Sequence, residues 1–275
     1  MDEVKERNAH LINAYDEYLR IRSQEILFEK PIPYDWFEFP NKAPLSFMSY
    51  CQMLRDYPSE LANEINSLSR SIESLSSWDK IIRRRTIDDA YDLHIEFTQE
   101  IGKSALCHPY AIKNKFAVAC GNLCHALNIA TGKPASKIEL PLDYALTLDD
   151  IDGPGNEWRS FRKFKKSLER IANKEYRDET GDFRNAYTHR FSRHIGLGLS
   201  VSVKREKSDD GYIQFAIGEL EPITLSELVE ALTKQRHACA EAFSKFQKLI
   251  IEQVKCIPKE FTGPTVTYSI KKRKP

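Results

Sequence analysis

Eleven residues, from Arg184 to His194, contain Arg184, Asn185, His189, Arg190, Arg193 and His194. Imidazole gives and takes a proton near neutral pH, and guanidinium presents a fixed fork of donors to phosphate oxygens. Together these types suit transfer at phosphorus without a metal ion. On a helix, Asn185 and His189 stand four apart on one face. Arg184 lies about 140° from His189 and needs its long stem, or a second molecule, to converge on the same point. His194 is a secondary candidate because it lies close to this group.

A second concentration of charge precedes the first. From Trp158 to Lys174 there are seven Lys or Arg and one acid, a local net charge of +6. Helical spacing divides the stretch into an apolar face (Trp158, Phe161, Phe164, Leu168 and Ile171) and a basic face (Arg159, Arg162, Lys163, Lys166 and Arg170). Basic residues one turn apart follow successive phosphates of an RNA strand, and Arg190 and Arg193 extend the set. An ordinary solvated face has the same pattern. The six acids between Glu139 and Glu157, a stretch without Lys or Arg, are expected in a surface loop, from which they could also fold over the basic face and neutralise it.

Other chemistry has less support. Cys120 and Cys124 share a helix face, but His125 points about 100° away and no second ligand pair has zinc spacing, so core packing is the simpler reading. Asp149 to Gly153 lacks the ligand ladder of a calcium loop and reads as a turn. No glycine-rich phosphate loop and no nucleophile elbow occur, which removes the ATPase and esterase readings. His94, His108 and His237 fall on expected helices without matching partners and read as structural. No metal or cofactor is implied.

Helices must position these groups. Asp2 to about Lys30 reads as one helix stopped by Pro31 and Pro33, followed by an aromatic loop from Tyr34 to Phe39 that wedges into the core. After Pro58, the 4-3-4-3 spacing of Leu61, Ile65, Leu68, Ile72 and Leu75 predicts a long helix. Thr86 caps a third helix, for which Gly102 is the expected left-handed stop, and Pro109 opens a fourth that closes at Gly132. Alternation of Leu199, Val201 and Val203, then of Ile213, Phe215 and Ile217, across Asp209-Asp-Gly211 predicts a β-hairpin within 197–218. The capping box from Thr224 to Glu227, with Ile223 stapled on Leu228, opens a last long helix. A strand from Thr265 to Ile270 and a basic tail, Lys271 to Lys274, follow.

The expected fold is therefore mainly α, an antiparallel helical bundle with an inserted β-hairpin before the last long helix. It is read as a single domain over 1–275: an N-terminal helix and aromatic loop (1–58), a bundle (59–255) and a C-terminal strand and tail (256–275). A total of 275 residues with 41% hydrophobic content supports a sizeable core, and 41 Lys+Arg against 40 Asp+Glu confine any electrostatic function to local patches. No apolar run reaches the ~18–20 residues of a membrane span, and the first residues lack the apolar core of a secretory signal. Six cysteines without a Cys-x-x-Cys pair fit reduced thiols, so a cytoplasmic location is expected.

Arg184-Asn-Ala-Tyr-Thr-His189 resembles the Arg-[polar]-x3-His form of the Arg-x4–6-His motif of HEPN domains (higher eukaryotes and prokaryotes nucleotide-binding), many of which are bacterial defence or toxin ribonucleases. The resemblance is specific in the motif and looser over the bundle from about residue 59 to 255. It implies a homodimer that pairs two motifs in one cleft for metal-independent RNA cleavage, with Arg184 and His189 as catalytic pair and Asn185 as polar helper. It also implies a toxin–antitoxin or antiphage setting with a possible protein antitoxin. HEPN toxins governed by a nucleotidyltransferase antitoxin have Tyr two residues after the motif His, where this chain has Phe191. The alternatives are an inactive HEPN-like module that binds RNA or protein, and a structural helical oligomerisation protein.

Overall fold

The computed structural model describes residues 2–33, 36–198 and 200–268. It is mainly helical, with a β-hairpin before the last long helix. Helices α1 (Asp2–Gln24), α2 (Met48–Ile82), α3 (Ile87–Leu93), α4 (Gln99–Thr131) and α9 (Leu225–Val254) carry most of the core, and short helices α5 (Asp152–Gly155), α6 (Phe161–Leu168), α7 (Lys174–Glu179) and α8 (Phe183–His189) lie between α4 and α9. Strands β2 (Ser200–Lys207) and β3 (Ile213–Leu220) form the hairpin, in register Val203↔Ile217. Strands β1 (Lys42–Pro44) and β4 (Thr265–Thr267) make a second small antiparallel pair. No helix among the described residues is long and apolar enough to cross a membrane.

The chain divides into two compact units. The first comprises Met1–Lys30, Ser67–Pro109 and Ala172–Arg236; the second Pro31–Asn66, Tyr110–Ile171 and His237–Pro275. In the first, α1 docks through Tyr18, whose ring stacks on Trp78 at 4.7 Å, and Trp78 stacks in turn on Phe97 at 4.5 Å. Salt bridges border this stack: Arg22 with Glu73, Lys80 with Glu25 and Arg85 with Glu17. The core of the second unit gathers Phe116, Phe164 and Phe246 into mutual ring contact at 5.4–5.8 Å. Beside it Tyr50 donates to Gln253 Oε1 at 3.2 Å.

Several expected helix boundaries are wrong, each for a packing reason. Pro58 lies inside α2 rather than before it. An internal proline costs about 3 kcal/mol, but the apolar seam continues upstream through buried Tyr50 and Leu54, so burial on both sides of Pro58 holds one continuous helix. Gly102 and Pro109 lie inside α4. Gly102 serves close approach: a methyl there would sit 3.1 Å from Ile195 and 3.3 Å from Leu228. Instead of breaking, the chain passes from α3 to α4 through a π-helical turn, His94–Thr98. Helix α1 ends at Gln24, before Pro31. The acidic segment is no simple surface loop, since Ile151 is buried and Pro154 and Gly155 are buried within α5.

Both caps are present. Thr86 accepts from the Asp89 amide at 3.3 Å, and Thr224 and Glu227 exchange hydrogen bonds at 2.9–3.2 Å. Tyr34, Leu199, Ile270 and the tail Lys271 to Lys274 lie outside the described residues.

Candidate functional site

The motif helix α8 is set by the turn before it. Gly181 and Asp182 both take left-handed backbone angles, with φ of 64° and 50°, reversing the chain between α7 and α8. Helix α7 is held by Asn173, which accepts from the Tyr176 amide, and by the Tyr176 hydroxyl, which donates to the Leu106 carbonyl at 2.9 Å. Phe183 and Ala186 bury the inner face of α8, and Tyr187 stacks on Phe183 at 5.6 Å. Arg184 and His189 are left on the exposed side. Among the described residues the His189 side chain has no hydrogen-bond or ion-pair partner. Arg184 lies near Cys107: burial pushes that thiol up, and the guanidinium charge works in the opposite direction.

Asn185 is half-buried and donates Nδ2 to Asp182 Oδ2 at 2.9 Å, bracing the helix start. Arg190 approaches the same carboxylate at 3.7 Å. Helix α8 stops at His189, and Arg190 turns extended. The reason is tertiary. Residues 193–196 run alongside 221–223, where Ile223 donates to the His194 carbonyl at 2.9 Å and Gly196 to the Ile223 carbonyl at 2.7 Å. Buried Ile195 anchors this segment. Arg193 Nε donates to the Glu221 carbonyl at 2.7 Å, which ties this arginine to the backbone before α9.

Behind this segment lies His94, in the π-helical turn. It is buried, with Nδ1 2.6 Å from Thr98 Oγ1. The Thr98 hydroxyl donates to the His94 carbonyl at 3.2 Å, which leaves its oxygen to accept from an Nδ1–H. Gly196, at φ 74°, fits against the ring: a methyl there would stand 2.7 Å from it. Burial, with His194 and Lys103 nearby, pushes the His94 imidazole down from 6.5 to about 4, so it is neutral at pH 7. His94 thus has a structural place, and His194 is exposed beside Gly198.

The basic face lies in the second unit, and the motif in the first. Helix α6 covers Phe161–Leu168 only, with turns on either side where one continuous helix was expected. Its apolar face is buried through Phe161, Phe164 and Leu168. Lys165, outside the basic face, pairs with Asp152 of the acidic segment at 2.7 Å, and Arg170 of the basic face pairs with Glu241 of α9 at 2.6 Å. Glu252 accepts from the amides of Arg159 and Ser160, both at 2.9 Å, and closes the turn before α6. Among the described residues, Arg162, Lys163 and Lys166 have no ion-pair partner and are exposed. Arg162 and Lys166 line an open depression of about 360 Å³ beside Asn156.

Cys120 and Cys124 are fully buried with sulfurs 3.8 Å apart, and Gln253 donates to Cys124 at 3.2 Å, as core packing requires. Two residues that shape the site were not singled out from sequence, Asp182 and Gly196. The Gly181-Asp182 pair directly before the motif was the available signal, since both types tolerate left-handed backbone. No family model, curated protein or solved structure matches the chain.

Proposed function

We propose that this chain is a metal-independent endoribonuclease of the HEPN type, acting in the cytoplasm as a homodimer. The observation that supports this reading best is on α8, which buries Phe183 and Ala186 yet leaves Arg184 and His189 exposed within one short helix. His189 takes a proton from the ribose 2′-hydroxyl or gives one to the leaving 5′-oxygen, as imidazole does near neutral pH. Arg184 stabilises the charge that grows on the phosphoryl oxygens. One motif offers one imidazole, whereas cleavage needs both an acceptor and a donor, so a second copy completes the site. Asn185 acts from the helix start through Asp182, which makes it a positioning residue. A toxin–antitoxin or antiphage role, with a protein antitoxin, belongs to the same proposal.

A second reading has an observation of its own. Arg162, Lys163 and Lys166, without ion-pair partners among the described residues, favour binding to an RNA backbone whether or not cleavage follows. The two readings separate on incubation with total RNA in EDTA. Defined fragments ending in 2′,3′-cyclic phosphate and 5′-hydroxyl support the enzyme. Retarded but intact RNA supports the binding module, and cleavage that requires added Mg²⁺ and leaves 5′-phosphates overturns the mechanism.

A further inference from the structure

The β2–β3 ribbon carries an apolar face in solvent. Directly paired residues of an antiparallel ladder point to the same side, and side chains alternate along each strand. The register Val203↔Ile217, Arg205↔Phe215, Lys207↔Ile213 therefore places these six residues on one face. Val203 is 60% exposed, Ile213 59%, Phe215 68% and Ile217 77%. The opposite face of β3 presents Gln214, Ala216, Gly218 and the half-buried Leu220. The exposed large apolar residues of the two strands are thus gathered on the side that no described part of the chain covers. Exposed apolar surface on a ribbon with open edges is a mark of an interaction site.

Charge is ordered along the same face. Arg205 and Lys207 stand toward the turn, and Glu219 stands at the other end of β3. We propose that this face docks on the same face of a second copy of the chain. A two-fold axis crossing the strands between the Val203–Ile217 and Arg205–Phe215 rows reverses the ribbon upon itself. Phe215 then opposes the partner's Ile217, and Glu219 reaches the row of the partner's Lys207. The acidic end of one ribbon thereby meets the basic end of the other, as an isologous interface allows, and Arg205 lies over the partner's Val203. An RNA strand is a poorer occupant, because Phe215 is the one aromatic ring among the four apolar residues and Glu219 repels phosphate. The face is small beside the ~1,200–2,000 Å² of a stable interface, so dimerisation through it is concentration-dependent. This inference does not rest on the ribonuclease reading.

The test is sedimentation of the full chain over a range of concentrations at low salt. The wild type is expected to show an association step that doubles its mass, from a monomer or from a motif-paired dimer, and Phe215→Asp to weaken that step about tenfold or more, the effect of losing one buried anchor. Glu219→Lys and Lys207→Glu should each weaken it singly. Mixing these two variants restores both opposite-charge pairs and should recover the step, a result that a folding defect would not produce. A wild type without this step, a step indifferent to Phe215→Asp, or a mixture no better than either variant alone overturns the proposal. Loss of RNA retardation in a monomeric Phe215→Asp protein would assign the face to nucleic acid instead.

Discussion

Asn185 and Asp182 are joined through their side chains, amide to carboxylate at 2.9 Å, across the first turn of the motif helix. The amide that the spacing places beside His189 is engaged at the other end of α8. Asn185→Ala and Asp182→Ala are each expected to lower stability by about 0.5–1.5 kcal/mol, and the double variant by less than their sum. Thermal melts of the four proteins check this coupling. Additive losses would mean that the hydrogen bond contributes nothing.

His189 and Arg184 should separate activity from stability. Both are exposed, so His189→Ala is expected to change stability by less than about 0.5 kcal/mol. Cleavage should fall by ~10²–10⁴-fold on loss of the proton-transfer group and by ~10²–10³-fold for Arg184→Ala. Single-turnover cleavage of one labelled RNA alongside a melt gives both numbers. Wild-type rates in His189→Ala would end the mechanism.

Reversing Arg162 and Lys166 tests the basic face. If both bind phosphates, the Arg162→Glu, Lys166→Glu protein should hold every RNA sequence more weakly and show a salt slope lower by about 0.7 for each phosphate no longer neutralised. Lys165→Ala is the control, because Lys165 is already paired with Asp152. Equal effects from all three positions would show only a general charge effect.

His94 predicts an acid-sensitive fold. Its folded-state pKa of about 4 lies below the 6.5 of an ordinary imidazole, with burial the main cause. Between these values the unfolded chain binds the proton that the folded protein refuses. This contribution to stability is therefore complete above pH 6.5 and lost as pH falls toward 4, by up to about 3 kcal/mol. Denaturant titrations should show the slope in the wild type and a flatter one in His94→Gln, whose amide does not titrate. Parallel curves for the two proteins would exclude His94 as the source.

The elements legible in the sequence are those governed by local rules. The Thr86 and Thr224 caps, the hairpin turn at Asp209 to Gly211 and the apolar face of Phe161, Phe164 and Leu168 each follow from short-range spacing. The mainly helical content follows from the same patterns. Only the tertiary structure decided where helices stop. Pro58, Gly102 and Pro109 carry strong local boundary signals, yet burial of the residues on either side outweighs a local cost of up to about 3 kcal/mol. Conversely, α8 ends at His189 without any breaker, because residues 193–196 find their hydrogen-bond partners in residues 221–223, far along the chain. The partners of Asn185, Arg193 and His94 were decided in the same way. A side chain's type states what it can bind, and which group it meets depends on the packing of distant segments, which local spacing does not encode.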